Sequence, residues 1–497
     1  MIAVAQVLGV LSSISALLTT RTSQGAIAWI ISLNTFPYLA VPAYWIFGRT
    51  EFNGYIKSRK QIDRRLWGRL TGLKEKMEER HARDDDDAGR ARALERIARL
   101  PFTRGNSVQL LTDGPVAFEA MFAAIRRAER YCLIQFYIVR DDAIGRDLKD
   151  LLIETVRRGV AVYFLFDEIG SFGIGREYIH DLQQAGVRIQ PFSSTRGARN
   201  RLQLNFRNHR KALVVDGVEG FLGGFNVGDE YLGRSARFGP WRDTHLHLAG
   251  PAITGLQLPF VEDWHWATGE YLDLEWQRCL TGGPAGSDSV FQPPGQSKDR
   301  TSTGTVLTET VQPVHETTVL VLPSGPSDDL STASLLVQHA IHSAENRLWI
   351  TSPYFVPDEG VQDALKLAVL RGVDVRILIP DKPDHLLVYF SAFAFVGDML
   401  ESGVKIFRYL PGFLHQKVML IDHAISTVGT VNLDNRSFRL NFEITSMIVS
   451  RRFADQVEAS LNRDFGHSRQ MTVEEIRTMS VPLRLISRLA YLTAPVQ

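Results

Sequence analysis

Cysteine is almost missing: Cys132 and Cys279 are the only two in 497 residues. Two isolated thiols cannot build a disulfide framework and show none of the paired spacings of a zinc site, which fits a reducing compartment and suggests no structural metal. Net charge is equally scarce. Lys+Arg 56 against Asp+Glu 55 leaves +1, so no bulk attraction to nucleic acid is built in. What is plentiful is apolar side chain: 44% hydrophobic and 22% charged residues describe a folded chain with room for two or three domains.

Long charge-free runs are confined to the beginning, at Ile2 to Leu18 and Ala26 to Phe47. Each approaches the roughly 20 residues a bilayer-crossing helix needs. No basic segment precedes the first run and no small-residue cleavage site follows it, which favours a transmembrane hairpin (1–48) over a signal peptide. Only Arg21 lies between the runs, whereas Arg49, Lys57, Arg59, Lys60, Arg64, Arg65 and Arg69 follow the second. This bias places the globular part in the cytoplasm, on a multi-pass membrane anchor. Trp29, Tyr38, Tyr44 and Trp45 are expected as interfacial anchors, and Pro37 and Pro42 as kinks. A re-entrant or surface helix is the alternative for the first run. Residues 49–100 read as a helical connector, with Asp84 to Asp87 a solvated loop rather than a metal site.

From Pro101 the chain repeats itself. Leu133 to Ile138 echoes Ile350 to Phe355, Arg158 to Leu165 echoes Arg371 to Leu378, and Leu182 to Ile189 echoes Leu400 to Ile406. Short Val/Ile/Leu-rich strands alternate with helices, so two homologous α/β halves with mostly parallel sheets are expected at 101–280 and 305–480. Their facing would bring equivalent residues across one cleft. Residues 281–304, rich in Gly, Pro, Ser and Thr, read as a flexible linker. An amphipathic segment (481–497) closes the chain, with Leu485, Ile486, Leu489 and Leu492 on one helical face and Arg484 and Arg488 toward its edge.

One pattern occurs once in each half. His209, Lys211 and Asp216 fall as His-x-Lys-x-x-x-x-Asp, followed by Gly223 and Asn226; His415, Lys417 and Asp422 are followed by Gly429 and Asn432, and both copies run 17 residues from His to Asn. Strand alternation points each His and Lys into one pocket and turns Asp216 and Asp422 to the opposite face, where they would cap the following turn. Imidazole, ammonium and amide together suit a tetrahedral anion. His245 and His247 also alternate but lack a third ligand at metal-binding spacing. Arg196, Arg199, Arg201 and Arg207 precede the first motif, in either a solvated loop or a site for anionic headgroups. Leu386 to Phe395 is expected to pack mainly in the core, with one or two residues at an acyl-chain entrance as the sharper option.

The paired motif resembles the signature of the phospholipase D superfamily. Arg207-Asn-His-Arg-Lys, Gly223-Gly-Phe-Asn-Val-Gly-Asp-Glu-Tyr, Trp241-Arg-Asp-Thr-His, Phe260-x-x-Asp-Trp264, Asn432-Leu-Asp-x-Arg-Ser437 and Asn441-Phe-Glu443 resemble, more narrowly, bacterial cardiolipin synthases. Gln416 and His423 depart slightly from the usual pattern. The resemblance implies a phosphatidyltransferase in which the catalytic set is His209, Lys211, Asp216, His415, Lys417 and Asp422. His209 would be the nucleophile and His415 the general acid and base, roles the internal symmetry could reverse. Lys211, Lys417, Asn226 and Asn432 would hold phosphoryl oxygens, and Asp243 and Glu443 would stand behind the imidazoles. It further implies phosphatidylglycerol and other anionic phospholipids as partners, a membrane setting, and neither metal nor cofactor. A phospholipase D hydrolase, a transferase using phosphatidylethanolamine and a catalytically silent lipid-binding scaffold are the other readings.

Overall fold

The computed structural model describes residues 2–20, 22–48, 52–62, 88–196, 204–276, 278, 291 and 311–497. The run Asp84 to Asp87, Arg199, Arg201, Cys279 and all of 281–304 except Phe291 lie outside the described residues, as do Arg21, Arg49, Arg64, Arg65 and Arg69.

Apolar strands and amphipathic helices assemble around one 16-stranded mixed sheet. Its seam is the antiparallel pairing of Thr103–Leu111 with Val314–Ser324. From this seam the same order runs outward twice. In the first half His245–Ala249, Glu219–Gly223, Ala212–Val215, Tyr131–Phe136, Ala161–Asp167 and Arg188–Phe192 follow. In the second half the sequence is Asn441–Val449, Ile425–Gly429, Val418–Ile421, Arg347–Thr351, Asp374–Pro380 and Lys405–Tyr409, with Ser468–Gln470 at the edge.

The expectation of mostly parallel sheets is corrected. Apart from the short Arg207–Asn208 pairing with Asn441–Phe442, the parallel pairing in the main sheet is confined to a trio toward the outside of each half, where helices make the crossovers. The motif strands are joined by tight hairpins, which force antiparallel pairing. Nor are the halves separate bodies. A single apolar core runs beneath the seam, from Leu133 and Val214 of the first half through Phe260 and Trp264 to Leu420 and Phe453 of the second. Each half has a further core on the opposite face, built around Phe118, Leu148 and Phe164 in one and Val337, Leu365 and Met399 in the other.

The apolar runs fold as helices Ile2–Thr19, Ser23–Thr35 and Pro37–Ala43, ending in a π-turn at Tyr44–Gly48. Pro37 breaks the second run at Phe36, and Pro42, which has no N–H to donate, immediately precedes the widened turn. Among the described residues no helix is long and apolar enough to cross a membrane. Tyr44 and Trp45 serve as clasps between helices rather than outward anchors: Tyr44 Oη donates to Ser15 Oγ (2.9 Å), and Trp45 Nε1 donates to Ser12 Oγ (3.0 Å). Val4, Leu11, Leu18, Ile31 and Leu39 on the outer faces are exposed.

Helix 53–62 ties this hairpin to the globular part. Phe52 and Tyr55 are buried among Phe192, Phe206, Trp266 and Phe442, so the connector docks where the two halves meet. Arg59 pairs with Glu262 (3.2 Å) and Asp328 (2.7 Å). At the other terminus, helix Val481–Tyr491 packs on helix Leu386–Glu401, with Ser487 and Ala490 buried. Its leucine stripe faces outward: Leu485 is 60% exposed, Leu489 57% and Leu492 72%.

Candidate active site

Local chain geometry exchanges the two halves at the site. Arg207–Asn208 pairs with Asn441 and Phe442, and Phe413–Leu414 pairs with Trp241 and Arg242. Each histidine therefore leaves its own half and hangs from the other: His209 N donates to the Phe442 carbonyl (2.9 Å), and His415 N to the Arg242 carbonyl (2.8 Å). The next residue in each partner segment supplies a carboxylate. His209 Nδ1 lies 2.8 Å from Glu443 Oε2, and His415 Nδ1 lies 2.6 Å from Asp243 Oδ2. Both carboxylates are completely buried.

The lysines lie beside the rings. Lys211 Nζ donates to the His209 carbonyl (2.7 Å) and stands over the Tyr137 ring. Lys417 Nζ is 2.8 Å from His415 Nδ1 and 3.1 Å from Nε2, and donates to the His415 carbonyl. Tyr137 meets the His209 ring at 4.9 Å, and Trp241 meets His415 at 5.2 Å.

Burial pushes both imidazoles down to about 4, further lowered by the lysines and opposed by the carboxylates. Burial also lowers Lys211 to about 7 and Lys417 to about 8. For Glu443 and Asp243, burial alone would raise the carboxyl; the cationic neighbours and hydrogen bonds outweigh it and hold both below the ordinary range. Near neutral pH the resting state is thus two neutral imidazoles on two carboxylates. A carboxylate can only accept, so the proton sits on Nδ1 and the Nε2 lone pair is left for chemistry.

Asp216 and Asp422, counted with the catalytic set by the motif, lie outside this cluster. Asp216 accepts from the backbone N–H groups of Glu129 (2.9 Å), Arg130 (2.8 Å) and Tyr131 (2.9 Å). Asp422 does the same for Glu345 (2.9 Å), Asn346 (2.7 Å) and Arg347 (2.9 Å). They cap the start of the neighbouring strand, not the turn that follows them, and these bonds offset their left-handed φ of 53° and 50°. Asn226 is partly committed, accepting from Ile138 N (3.0 Å) and donating to Tyr231 Oη (3.1 Å). Asn432 donates to Asp434 Oδ2 (3.3 Å), while its buried Oδ1 has no partner.

Gly223 and Gly429 allow the strands to close on the carboxylate segments: a Cβ would stand 2.4 Å from the Thr244 carbonyl oxygen at one and 2.5 Å from that of Ile444 at the other. Gly224 is tighter still, since a Cβ there would be 1.8 Å from Asp243 Oδ1. His245 and His247 do not converge on a shared site. His245 Nδ1 accepts from Phe225 N (3.3 Å), whereas His247 Nε2 meets Glu219 Oε2 (3.0 Å) and its ring lies between Phe221 and Phe291. Arg196 and Arg207 are spent on carbonyls, those of Trp266 for the former and of Leu204 and Phe206 for the latter.

The sequence reading missed a hub at Asp263. Its Oδ1 accepts from Tyr55 Oη (2.5 Å), and its Oδ2 from Gln135 Nε2 (2.7 Å), Asn208 Nδ2 (2.8 Å) and Arg210 Nη1 (2.7 Å). Asn208 and Arg210 flank His209, so Asp263 locks the chain on both sides of that histidine. The available signal was Asp263 itself, inside a recognised Phe-x-x-Asp-Trp segment of a helix buried along most of its length. Gln416 plays the matching part in the second half, accepting from Thr244 Oγ1 (2.9 Å) and donating to Asp464 Oδ2 (2.8 Å).

Comparison with known proteins agrees with this geometry. A family model described as "Cardiolipin synthase, PLD-like domain" matches residues 121–236 and 337–465, one span per half. A relative from Pseudomonas entomophila, Cardiolipin synthase A, is 44% identical over 100% of this chain and 98% of its own. Another of the same name from Pseudomonas aeruginosa is 45% identical over 99% of this chain and 94% of its own. Among solved structures, a phosphatidylserine synthase from Haemophilus influenzae superposes with a TM-score of 0.59 at 14% identity, over 82% of this chain and 100% of that one, a likeness of fold. Full-length identity at this level, with both motifs assembled into one cluster, makes the chain a member of the phospholipase D-like cardiolipin synthase family.

Proposed function

We propose that the protein transfers a phosphatidyl group between two phosphatidylglycerol molecules, giving cardiolipin and glycerol. The observation that carries this reading is the pair of neutral imidazoles, each holding a buried carboxylate on Nδ1 from the other half and a lysine beside it. His209 Nε2 attacks phosphorus, and the P–O bond to the departing glycerol breaks as His415 relays to that oxygen a proton taken on Nε2 from the Lys417 ammonium 3.1 Å away; Lys417 recovers it in the second step. In the second step the acceptor's hydroxyl loses its proton to His415, its oxygen bonds to phosphorus, and the P–N bond breaks. One phosphodiester replaces another, so the exchange requires no external energy source. Lys211 and Lys417 neutralise the phosphoryl oxygens, and one amide hydrogen of Asn226 and of Asn432 is available to them. Asp243 and Glu443 stabilise each imidazolium as it forms. Asp216 and Asp422 act structurally.

The hairpin at 1–48 anchors the enzyme in a bacterial inner membrane. Exposed Val4, Leu11, Leu18, Ile31 and Leu39 support this reading, and so does the excess of basic residues after the second run, which puts the catalytic part in the cytoplasm. At about 1.5 Å per residue, helix Ile2–Thr19 reaches about 27 Å, just short of a hydrocarbon core of about 30 Å, a mismatch local thinning absorbs. The outward stripe Leu485, Leu489 and Leu492, edged by Arg484 and Arg488, rests on the same surface.

Purified protein supplied with phosphatidylglycerol alone should yield cardiolipin and glycerol in equal amounts by mass analysis. Phosphatidic acid as the sole product would convert the reading to a hydrolase. A requirement for phosphatidylethanolamine would change the donor, and no turnover would leave a lipid-binding scaffold. For topology, an impermeant thiol reagent applied to intact cells should not modify a cysteine introduced at 281–304; labelling there would overturn the orientation.

A further inference from the structure

Arg408 is buried without a carboxylate. Its side chain lies between Tyr389 and Phe393, with ring centroids 5.2 and 4.9 Å away, and the residue is 2% exposed. Nε donates to Met471 Sδ (3.2 Å) and Nη1 to the Pro380 carbonyl (3.2 Å), but Nη2 has no hydrogen-bond partner. Elsewhere, the buried Arg210 pairs with Asp263 (2.7 Å), and the partly buried Arg242 with Asp464 (2.8 Å). Asp381 and Tyr389 act on Arg408 only through space and a phenol contact, and burial lowers its affinity for its own proton. An unpaired cation removed from water is costly, so a fold that keeps one is incomplete without an anion.

The space beside it has a defined composition. Arg408 lines a cleft with Tyr354, Asp384, His385, Val388 and Tyr389. Asp384 Oδ2 accepts from Tyr354 Oη (2.5 Å) and keeps further lone pairs. Two links connect the cleft to the reacting centre. Asp384 acts electrostatically on Lys417, and its carbonyl accepts from Arg237 (3.1 Å), on the loop whose Phe238 packs against Trp241 and hence His415. Leu386 and Leu387, next to the lining residues, are 63% and 51% exposed.

The cleft and its rim present a hydroxyl-accepting carboxylate, a buried guanidinium with an unpartnered Nη2 and exposed leucines. We propose that it seats the acceptor lipid: Asp384 holds the glycerol headgroup, Arg408 pairs with the acceptor's own phosphate, and the acyl chains leave past Leu386 and Leu387. This rests on the transferase reading above. The acceptor's terminal hydroxyl reaches the phosphatidyl-histidine, its oxygen bonds to phosphorus as the P–N bond breaks, and its proton passes to the other histidine. Water and glycerol need no such site, since neither carries a phosphate. Arg408 is thus a specificity-determining residue that favours lipid over water as acceptor.

The test compares acceptors in full-length protein reconstituted in phosphatidylglycerol bilayers. Arg408→Met removes the charge and leaves an unbranched chain that fits between the two rings. Cardiolipin formation should fall at least tenfold, while hydrolysis to phosphatidic acid and exchange of labelled glycerol into phosphatidylglycerol stay within twofold of wild type. The melting temperature should hold or rise, because the unpaired charge is gone. A parallel fall in all three reactions, or an unchanged product ratio in a folded variant, would overturn the proposal. If the methionine variant does not fold, Arg408→Gln with the same three reactions decides the matter on the same criteria. Wild-type protein that forms no cardiolipin from phosphatidylglycerol would instead refute the proposed function.

Discussion

The two halves solve one electrostatic problem in two ways. In each, the residue between His and Lys reaches a buried aspartate: Arg210 reaches Asp263, and Gln416 reaches Asp464. The first aspartate is neutralised by Arg210 on the motif strand, the second by Arg242 on the segment carrying the carboxylate partner. Gln416 carries no charge, and Arg242 across the site neutralises Asp464 instead. The first half alone also takes in Tyr55, so only His209 is tied to the connector behind the hairpin. The two halves thus balance the buried charge with residues in different places, and only the first links its motif to the connector.

Removing either histidine breaks the comparison most severely. His209→Ala and His415→Ala should each reduce turnover by at least about 10²–10⁴-fold. The asymmetry appears under quenching: protein trapped during turnover should carry a phosphatidyl adduct on His209, and mass mapping to His415 would reverse the roles.

The carboxylates come next. Glu443→Gln and Asp243→Asn should each lower kcat by about 10²–10⁴-fold, with the greater loss marking the imidazole that carries more positive charge in the transition state. Gly224→Ala, which drives a methyl into Asp243 Oδ1, should mimic Asp243→Asn and spare the His209 side. A normal rate in that variant would show that the carboxylate has room to move.

pH sharpens the contrast more gently. With both imidazoles lowered to about 4, kcat/KM should be flat from pH 5 to 6.5, since they are already neutral. It should then fall as pH rises through about 7 and 8, where Lys211 and then Lys417 lose the proton that binds phosphate. Lys211→Arg should abolish the earlier phase and leave only the one near 8. A pH profile unchanged by that substitution would assign the limb elsewhere.

Smallest is Tyr55→Phe. It deletes one of four hydrogen bonds to Asp263, costing about 1.5–3 kcal/mol of stability. It should lower the melting temperature by a few degrees and the rate by less than tenfold; the deletion of Gln416's bond to Asp464 in Gln416→Met should leave hairpin attachment untouched. Equal sensitivity of both variants to protease cleavage at the connector would remove the distinction.

Much of the site was legible because periodicity and repetition are local. The histidines and lysines point together by alternation, and Asp243 and Glu443 stood in recognisable segments. Their crossing was not legible: nothing near His209 names a partner in the other half, because the strand pairing of Arg207 with Asn441 is set by tertiary packing. Sheet direction failed for a related reason, since alternating helices and strands suggested crossovers where the motif strands turn back in hairpins. Asp263 escaped because a carboxylate in a buried helix has meaning only once its four donors surround it. Tyr44 and Trp45 resembled interfacial anchors until the hairpin closed and found serines for them.

The crossed pairing also sets an order in time. A ribosome exposes His209 well before Glu443, 443 − 209 = 234 residues later, a delay of roughly 10–50 s at 5–20 residues per second. If the hairpin anchors the chain as proposed, it is made first and meets the lipid surface while the first histidine still lacks its carboxylate and the second does not yet exist. Nascent chains therefore reach their own substrate in an unarmed state, and catalysis begins only when the last strand of the seam region, Asn441–Val449, closes against the first half.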